Sequence, residues 1–514
     1  MNGADSLVQT LLDGGVDVCF TNPGTSEMHF VAALDRHHDM RCILGLQENV
    51  VTGAADGYAR MLDKPASTLL HTGPGLANGF ANLHNAKRAF VPIINIVGDH
   101  ATHHVQYDSP LTSDIEGIAA PVSGWFRTSQ SSTEVASDAA EAIQFANTAP
   151  GNISTLILPA NTAWGDANGP AVTKAAPPPQ TPGDERIRAV AEVIRSGEPV
   201  LVLAANRALR DDAMELLSKI TTSDSVDLLA QQSNGRIERG AGRVAMDRVR
   251  YPVDQALDQL SKYKHVILVA AKNPVAFFAY PNKPSLMMPE GSGVHTLVAR
   301  EEDVMGALDA LVDELGVGKN NAKVSDKFLP PMPTGSLNQD VISLVLANMI
   351  PENAIISDES VSTGRRFFED SYGSNPHSWI QVTGGAIGNG LPLATGAAIA
   401  CPDRPVISLQ ADGSGMYTLQ SLWTQAREGS NITTLIFSNR KYQILLGEMA
   451  GVGVLNPGPK AMDMMELDRP ELDWVALAKG MGVDGGVATN ATELAKQMER
   501  GLACEGPYLI EVIF

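Results

Sequence analysis

Short apolar runs rich in Val, Ile and Leu alternate with stretches of helical periodicity from one end of this chain to the other. That alternation points to parallel sheets whose two faces are both covered by helices. The first block carries strand candidates at "VCFTN", "CILGLQ", "ASTLLH", "VPIINIVGD" and "STLILPA". The second carries "PVLVLAAN", "SVDLLAQ", "KHVILVAAKNP" and "GVHTLVAR", and the third "AIISDES", "SWIQVTGG", "PVISLQADG", "TTLIFSN" and "PYLIEVIF". The proline-rich, aperiodic run 169–185 and the run 316–336 read as linkers. The partition predicted is three α/β domains, 1–168, 186–315 and 337–514, each a doubly wound parallel sheet of ordinary domain size.

A chain of 514 residues is too long for one core, in keeping with several domains. Its 38 Lys and Arg against 58 Asp and Glu leave a net charge of -20, which repels phosphate backbones and anionic lipid. Nucleic-acid and membrane-surface partners are therefore disfavoured. Cys19, Cys42, Cys401 and Cys504 show no C-x-x-C spacing, which argues against a disulfide framework or a cysteine-rich zinc site and suits a cytoplasmic location. No apolar run approaches the roughly 18 residues of a membrane span. The opening "MNGADSLVQTLLDGG" places acids where a signal peptide would place Lys or Arg, and reads as the first helix of the fold.

Two strand ends carry oxygen-bearing side chains: Asp412 follows "PVISLQ" and Asn439 follows "TTLIFS". Ligands of open parallel sheets bind beyond the carboxyl ends of strands. A right-handed β-α-β unit would bring these two ends to one edge. A carboxylate and an amide oxygen are hard ligands suited to Mg2+ that takes its remaining ligands from a phosphate. Gly413, Ser414 and Gly415 then open a helix whose N–H groups can cradle that phosphate. Alone, "ADGSG" would read as a turn and Asn439 as a cap; in register they favour a metal-bound diphosphate.

The pattern resembles the thiamine diphosphate motif, in which G-D-G is followed by Asn at the end of the next strand; Ala411 stands at the first Gly position here. "TNPGTSEMHF", "LGLQENVVTGAADGYAR", "LLHTGPGLANG" and "GGAIGNGLPLATGAAIA" are similar to further signatures of the flavin-free acetolactate synthase and benzoylformate decarboxylase group, in the same order. The resemblance implies pyrimidine-binding, central and diphosphate-binding domains. It also implies thiamine diphosphate and Mg2+ as cofactors, with FAD not expected. Asp412, Asn439 and the carbonyl of Lys441 would hold the metal, and Gly413, Ser414 and Ser362 the diphosphate. The Gly385 carbonyl would meet the 4'-amino group, and Ile387 would wedge between the two rings.

By the same resemblance, Glu48 contacts the aminopyrimidine and is the leading catalytic residue; partial burial there would raise its pKa. His71 aligns with an active-site histidine, and Thr25 stands where the decarboxylases have a substrate-contacting Ser. His104, in a cluster with His100 and His103, corresponds to a region of active-site histidines in pyruvate decarboxylase-like enzymes. "NPVAFFAYP" lacks the second histidine of the benzoylformate decarboxylases. Ile444 and Glu448, one helical turn apart, are expected to line the substrate pocket, and Glu448 hints at a polar substrate.

The expected activity is 2-oxo acid decarboxylation or carboligation with an aldehyde acceptor, with an acetolactate synthase-type reaction as the alternative and a cofactor-less scaffold as the non-enzymatic one. A nicotinamide oxidoreductase is disfavoured because "GPGLANG" is one residue longer than the Rossmann glycine loop. The resemblance further implies a homodimer at minimum and a homotetramer as the assembly.

Overall fold

A computed structural model describes residues 1–514. The first sheet contains β1 (Val18–Asn22), β2 (Arg41–Leu44), β3 (Ala66–Leu70), β4 (Ile93–Asp99), β5 (Trp125–Thr128) and β6 (Ile153–Pro159). Their order is β2-β1-β3-β4-β6-β5 and every pairing is parallel. The second sheet uses β7 (Val200–Ala204), β8 (Val226–Ala230), β10 (Asp247–Arg248), β11 (His265–Val269) and β12 (Gly293–Val298), after β9 (Arg236–Arg239) has left for another sheet. Its order is β10-β8-β7-β11-β12, again all parallel.

The third sheet contains β13 (Ala354–Glu359), β14 (His377–Gln381), β15 (Val406–Ala411), β16 (Ile432–Ser438), β17 (Asp484–Ala488) and β18 (Tyr508–Ile513). Its order is β17-β18-β16-β15-β13-β14-β9, and the last pair is antiparallel. This sheet is therefore mixed, where a purely parallel one was expected. β9 belongs by sequence to the central stretch, yet its Ile237 pairs with Trp379 and joins the apolar core running from the second unit into the third.

In an open α/β sheet the crevice forms where strand order reverses. The reversal lies between β1 and β3 in the first sheet and between β13 and β15 in the third. The chain spends its polar residues at the carboxyl ends of these four strands: Asn22 to Glu27, His71, Glu359 and Asp412.

The first and third units meet through two helices, Glu48–Leu62 and Gly390–Ala400. The former starts because the Gln47 side chain accepts N–H bonds from Asn49 at 2.6 Å and Val50 at 3.3 Å, and stops at Asp63 in the left-handed region. A side chain at Gly57 would overlap the Leu393 carbonyl, and one at Gly396 would overlap that of Ala54, so the glycines set the depth of contact. Arg60, paired with buried Asp56 at 2.6 Å, also donates to the carbonyls of Gly235 and Gln381, tying all three units together.

Candidate active site

β15 and β16 run parallel with Ala411 opposite Phe437, so Asp412 and Asn439 leave the sheet side by side. Asp412 is buried; its Oδ1 accepts from the Gly413 N–H at 2.8 Å and its Oδ2 from the Arg440 N–H at 2.7 Å. Asn439 Oδ1 accepts from the Lys441 N–H at 3.2 Å. Burial pushes the Asp412 carboxyl up to about 6, against backbone donors that pull it down. No Arg, Lys or His forms an ion pair with it. The helix expected to open at Gly413 is a single turn, Asp412–Gly415, and the longer helix begins only at Ser421.

Across the reversal stands a residue that the sequence reading did not single out. Glu359 is buried at the end of β13, and its carboxylate accepts from the N–H groups of Gly388 at 2.8 Å, Asn389 at 3.3 Å and Gly390 at 2.7 Å. Gln410 Nε2 adds a fourth bond at 2.9 Å and also reaches Ser414 Oγ. Burial raises this carboxyl's pKa, opposed by its backbone donors. One side chain thus joins the glycine loop 384–390 to the turn after β15.

A cavity of ≈ 640 Å³ opens between the second and third units. Gly385, Ile387, Ile444 and Glu448 line it together with Tyr251, Phe277, Phe278, Tyr417 and Tyr442. Gly385 has φ +78°, a backbone conformation that favours glycine, and a Cβ there would come within 2.6 Å of Phe277 Cζ and require that ring to shift. Asp412, Gly413, Ser414, Asn439 and Ser362 do not line it; Tyr442 packs against Gly413, while Val361 and Gly364 flank Ser362 at the wall.

The first unit holds a second cluster at its own reversal. His71 Nδ1 lies 2.9 Å from Glu27 Oε2, and the buried Glu27 also accepts the Gly24 N–H at 2.7 Å and the Ser26 hydroxyl. Only glycine at 98 leaves room for this carboxylate. Ser26 Oγ is 3.3 Å from His71 Nδ1, whereas Thr25 is exposed and makes no side-chain hydrogen bond. The hydroxyl beside the histidine is therefore that of Ser26. Glu48 sits on the first turn of its helix, 9% exposed, and accepts from Asn78 Nδ2 at 3.1 Å. His104 is exposed, its ring 5.8 Å from that of His100. No group of three or more His, Cys, Asp or Glu converges into a metal site, so the histidine cluster is not one.

Comparison with known proteins gives this geometry a context. Residues 1–120 match the model of the thiamine pyrophosphate enzyme N-terminal TPP binding domain, and residues 366–512 that of the C-terminal TPP binding domain. A Mycobacterium tuberculosis protein provisionally named acetolactate synthase large subunit IlvX is 46% identical over 100% of this chain and 99% of its own length. The chain belongs to the thiamine pyrophosphate enzyme family. Benzoylformate decarboxylase of Pseudomonas aeruginosa is 27% identical over 97% of this chain and 96% of its own. The solved thiamine diphosphate-dependent 4-hydroxybenzoylformate decarboxylase of Rhodococcus jostii shares the fold, with a TM-score of 0.84 at 22% identity over 99% of this chain and 98% of that one.

For a thiamine pyrophosphate enzyme the third-unit residues fit the cofactor. A buried carboxylate without a cationic partner stands beside an amide oxygen, a donor set that suits Mg2+. Buried polar atoms without partners follow it closely along the chain: Thr418 Oγ1, Gln420 Oε1 and Ser421 Oγ. Such groups are costly unless something satisfies them. The first-unit residues Glu48 and His71 are absent from the cavity lining, which runs only from Gln232 to Glu448.

Proposed function

We propose that this thiamine pyrophosphate enzyme is a Mg2+-dependent 2-oxo acid decarboxylase whose site is completed by a second copy of the chain. Asp412, Asn439 and the Lys441 carbonyl would hold the metal, with Gly413, Ser414 and Ser362 at the diphosphate. Gly385 and Ile387 would hold the rings and Glu48 the aminopyrimidine. When bound, thiamine diphosphate supplies a thiazolium carbon nucleophile and stores the electron pair left behind as carbon dioxide departs.

The observation that carries the decarboxylase reading is the Glu27–His71 pair. A carboxylate on Nδ1 fixes the imidazole so that Nε2 is the atom that gives or takes a proton. A placed proton donor favours release of an aldehyde over attack on a second carbonyl. The relative named acetolactate synthase favours the second reading, acetohydroxy acid formation.

The test is thermal stability with Mg2+ plus thiamine diphosphate, in the native protein and in Asp412→Ala. A ligand that binds the folded state alone raises the melting temperature, by about 2.7 kcal/mol of stabilisation at 100 times Kd. The shift is expected in the first protein and not in the second, followed by aldehyde and carbon dioxide as products from a 2-oxo acid. No shift in either protein, starting from verified cofactor-free material, would overturn the proposal. An acetohydroxy acid as main product would replace it with the synthase reading.

A further inference from the structure

One end of the cavity carries chemistry that the shared reaction does not call for. Glu448 lies one helical turn after Ile444, about 6 Å along the axis, on the helix Gln443–Gly451. One of its oxygens accepts from Tyr280 Oη at 2.7 Å and the other from Tyr251 Oη at 3.2 Å. Both partners are phenols, and no basic side chain pairs with the carboxylate. Burial, reinforced by Glu448 itself, pushes Tyr251 up to about 12 and Tyr280 upward as well, so both remain neutral donors.

Aromatic rings build the surrounding wall. Phe277 lies 5.6 Å from Tyr251 and 4.9 Å from Phe278, centroid to centroid. Two of the cavity's three arginines are engaged elsewhere: Arg250 with Glu369 at 2.6 Å, and Arg248 with Gln381 Oε1 at 2.6 Å and the face of Phe368. Arg365 rests 5.7 Å from the Tyr251 ring centroid without reaching Glu448.

A carboxylate offers about four lone-pair sites, and the two phenols use two of them. An apolar tail laid against Glu448 would strip its water and return nothing, the kind of unmatched polar group by which sites reject wrong substrates. An anionic tail would meet like charge. A cationic tail gains the carboxylate and the electron-rich face of Phe277 together, while Arg365 already rests over the ring of Tyr251.

We infer that this end of the cavity selects a 2-oxo acid whose tail ends in a positively charged nitrogen, an ammonium or guanidinium group. The inference rests on the 2-oxo acid reading above and names the substrate class of that same site.

The test uses the holoenzyme with thiamine diphosphate and Mg2+ and two acids of matched shape. Each carries a four-methylene spacer, one ending in trimethylammonium and the other in tert-butyl. Calorimetric affinity and kcat/KM are both expected to favour the cationic acid by about tenfold or more. Glu448→Gln should collapse that ratio towards one, while Tyr280→Phe, which keeps the carboxylate, should preserve the preference.

Equal affinity for the two acids in the native enzyme, or an unchanged ratio in folded Glu448→Gln, would overturn the inference even if both acids release carbon dioxide, in which case the decarboxylase reading stands. Tighter binding of the cationic acid without carbon dioxide from either would uphold the tail preference and overturn the decarboxylase.

Discussion

Glu27 shows how much one side chain can decide. It holds His71 at 2.9 Å, with glycine at 98 leaving room for its carboxylate and glycine at 24 for the imidazole. Glu27→Gln preserves the volume but removes the negative acceptor that orients the imidazole. The expected outcome is a fall in kcat/KM of roughly 100-fold, at the lower end of what placed acid–base groups contribute. The pH profile should shift as well, whereas a purely structural role would leave its shape unchanged. A second titratable residue bears on stability alone. His377 is fully buried with Nε2 unpartnered, and burial, with Arg239 nearby, drives its pKa down to about 3. Between that value and the ordinary value near 6.5 the unfolded chain binds a proton that the folded chain refuses, so this residue's effect is to lower stability as pH falls. From pH 6.5 to 5 the loss is on the order of 1–2 kcal/mol. Calorimetric melting across that range should show a shallower decline in His377→Gln than in the native protein.

The contact between helices Glu48–Leu62 and Gly390–Ala400 depends on the absence of two side chains. Gly396→Ala would press a methyl into the Ala54 carbonyl, which is backbone and cannot rotate away. Overpacking of this kind costs about 1–3 kcal/mol, and a lowered melting temperature with cofactor affinity also reduced would show that the contact positions the 384–390 loop. All fourteen of the strands written into the sequence as aliphatic runs, such as "VLVLA" and "ITTLIFS", form where those runs occur. The four that escaped lack that signal: β5 reads "WFRT", β9 "RIER", β10 is two polar residues and β17 reads "DGGVA". Each lies at or beside a sheet edge, where pairing with a neighbour rather than intrinsic burial makes the strand. The same division holds at the site. The neighbouring positions of Asp412 and Asn439 were legible because strand ends announce themselves, and Glu48's place at the start of a helix because its whole motif does. Glu27, Glu359 and Tyr280 were not, since each matters through a partner distant in the chain: His71, the 388–390 amides and Glu448. "NPVAFFAYP", notable in the sequence for a missing histidine, supplies the aromatic wall and a tyrosine for Glu448.

At the scale of the whole molecule the residues proposed for the two halves of the chemistry do not line one cavity. The cavity is lined from Gln232 to Glu448, and Glu48 and His71 open elsewhere on the first unit. The cavity's own wall is also uncovered: helix Gln443–Gly451 buries none of its residues, and Leu445 in it and Val452, Val454 and Leu455 after it are exposed. Apolar surface of that extent calls for a partner, and a second copy bringing its first unit against this wall would supply both the cover and the missing acid. A two-fold arrangement would then form two equivalent sites, each from both chains. Complementation tests this directly. Glu48→Gln and Asp412→Ala are each expected to be inactive, for different halves of the same site. Co-folded in equal amounts, half of the dimers pair one variant with the other, and in each of these one site collects both defects while the other collects neither. Activity should return to about a quarter of the native level. If both residues acted within a single chain, every site in the mixture would keep one defect, and no activity would return at any ratio.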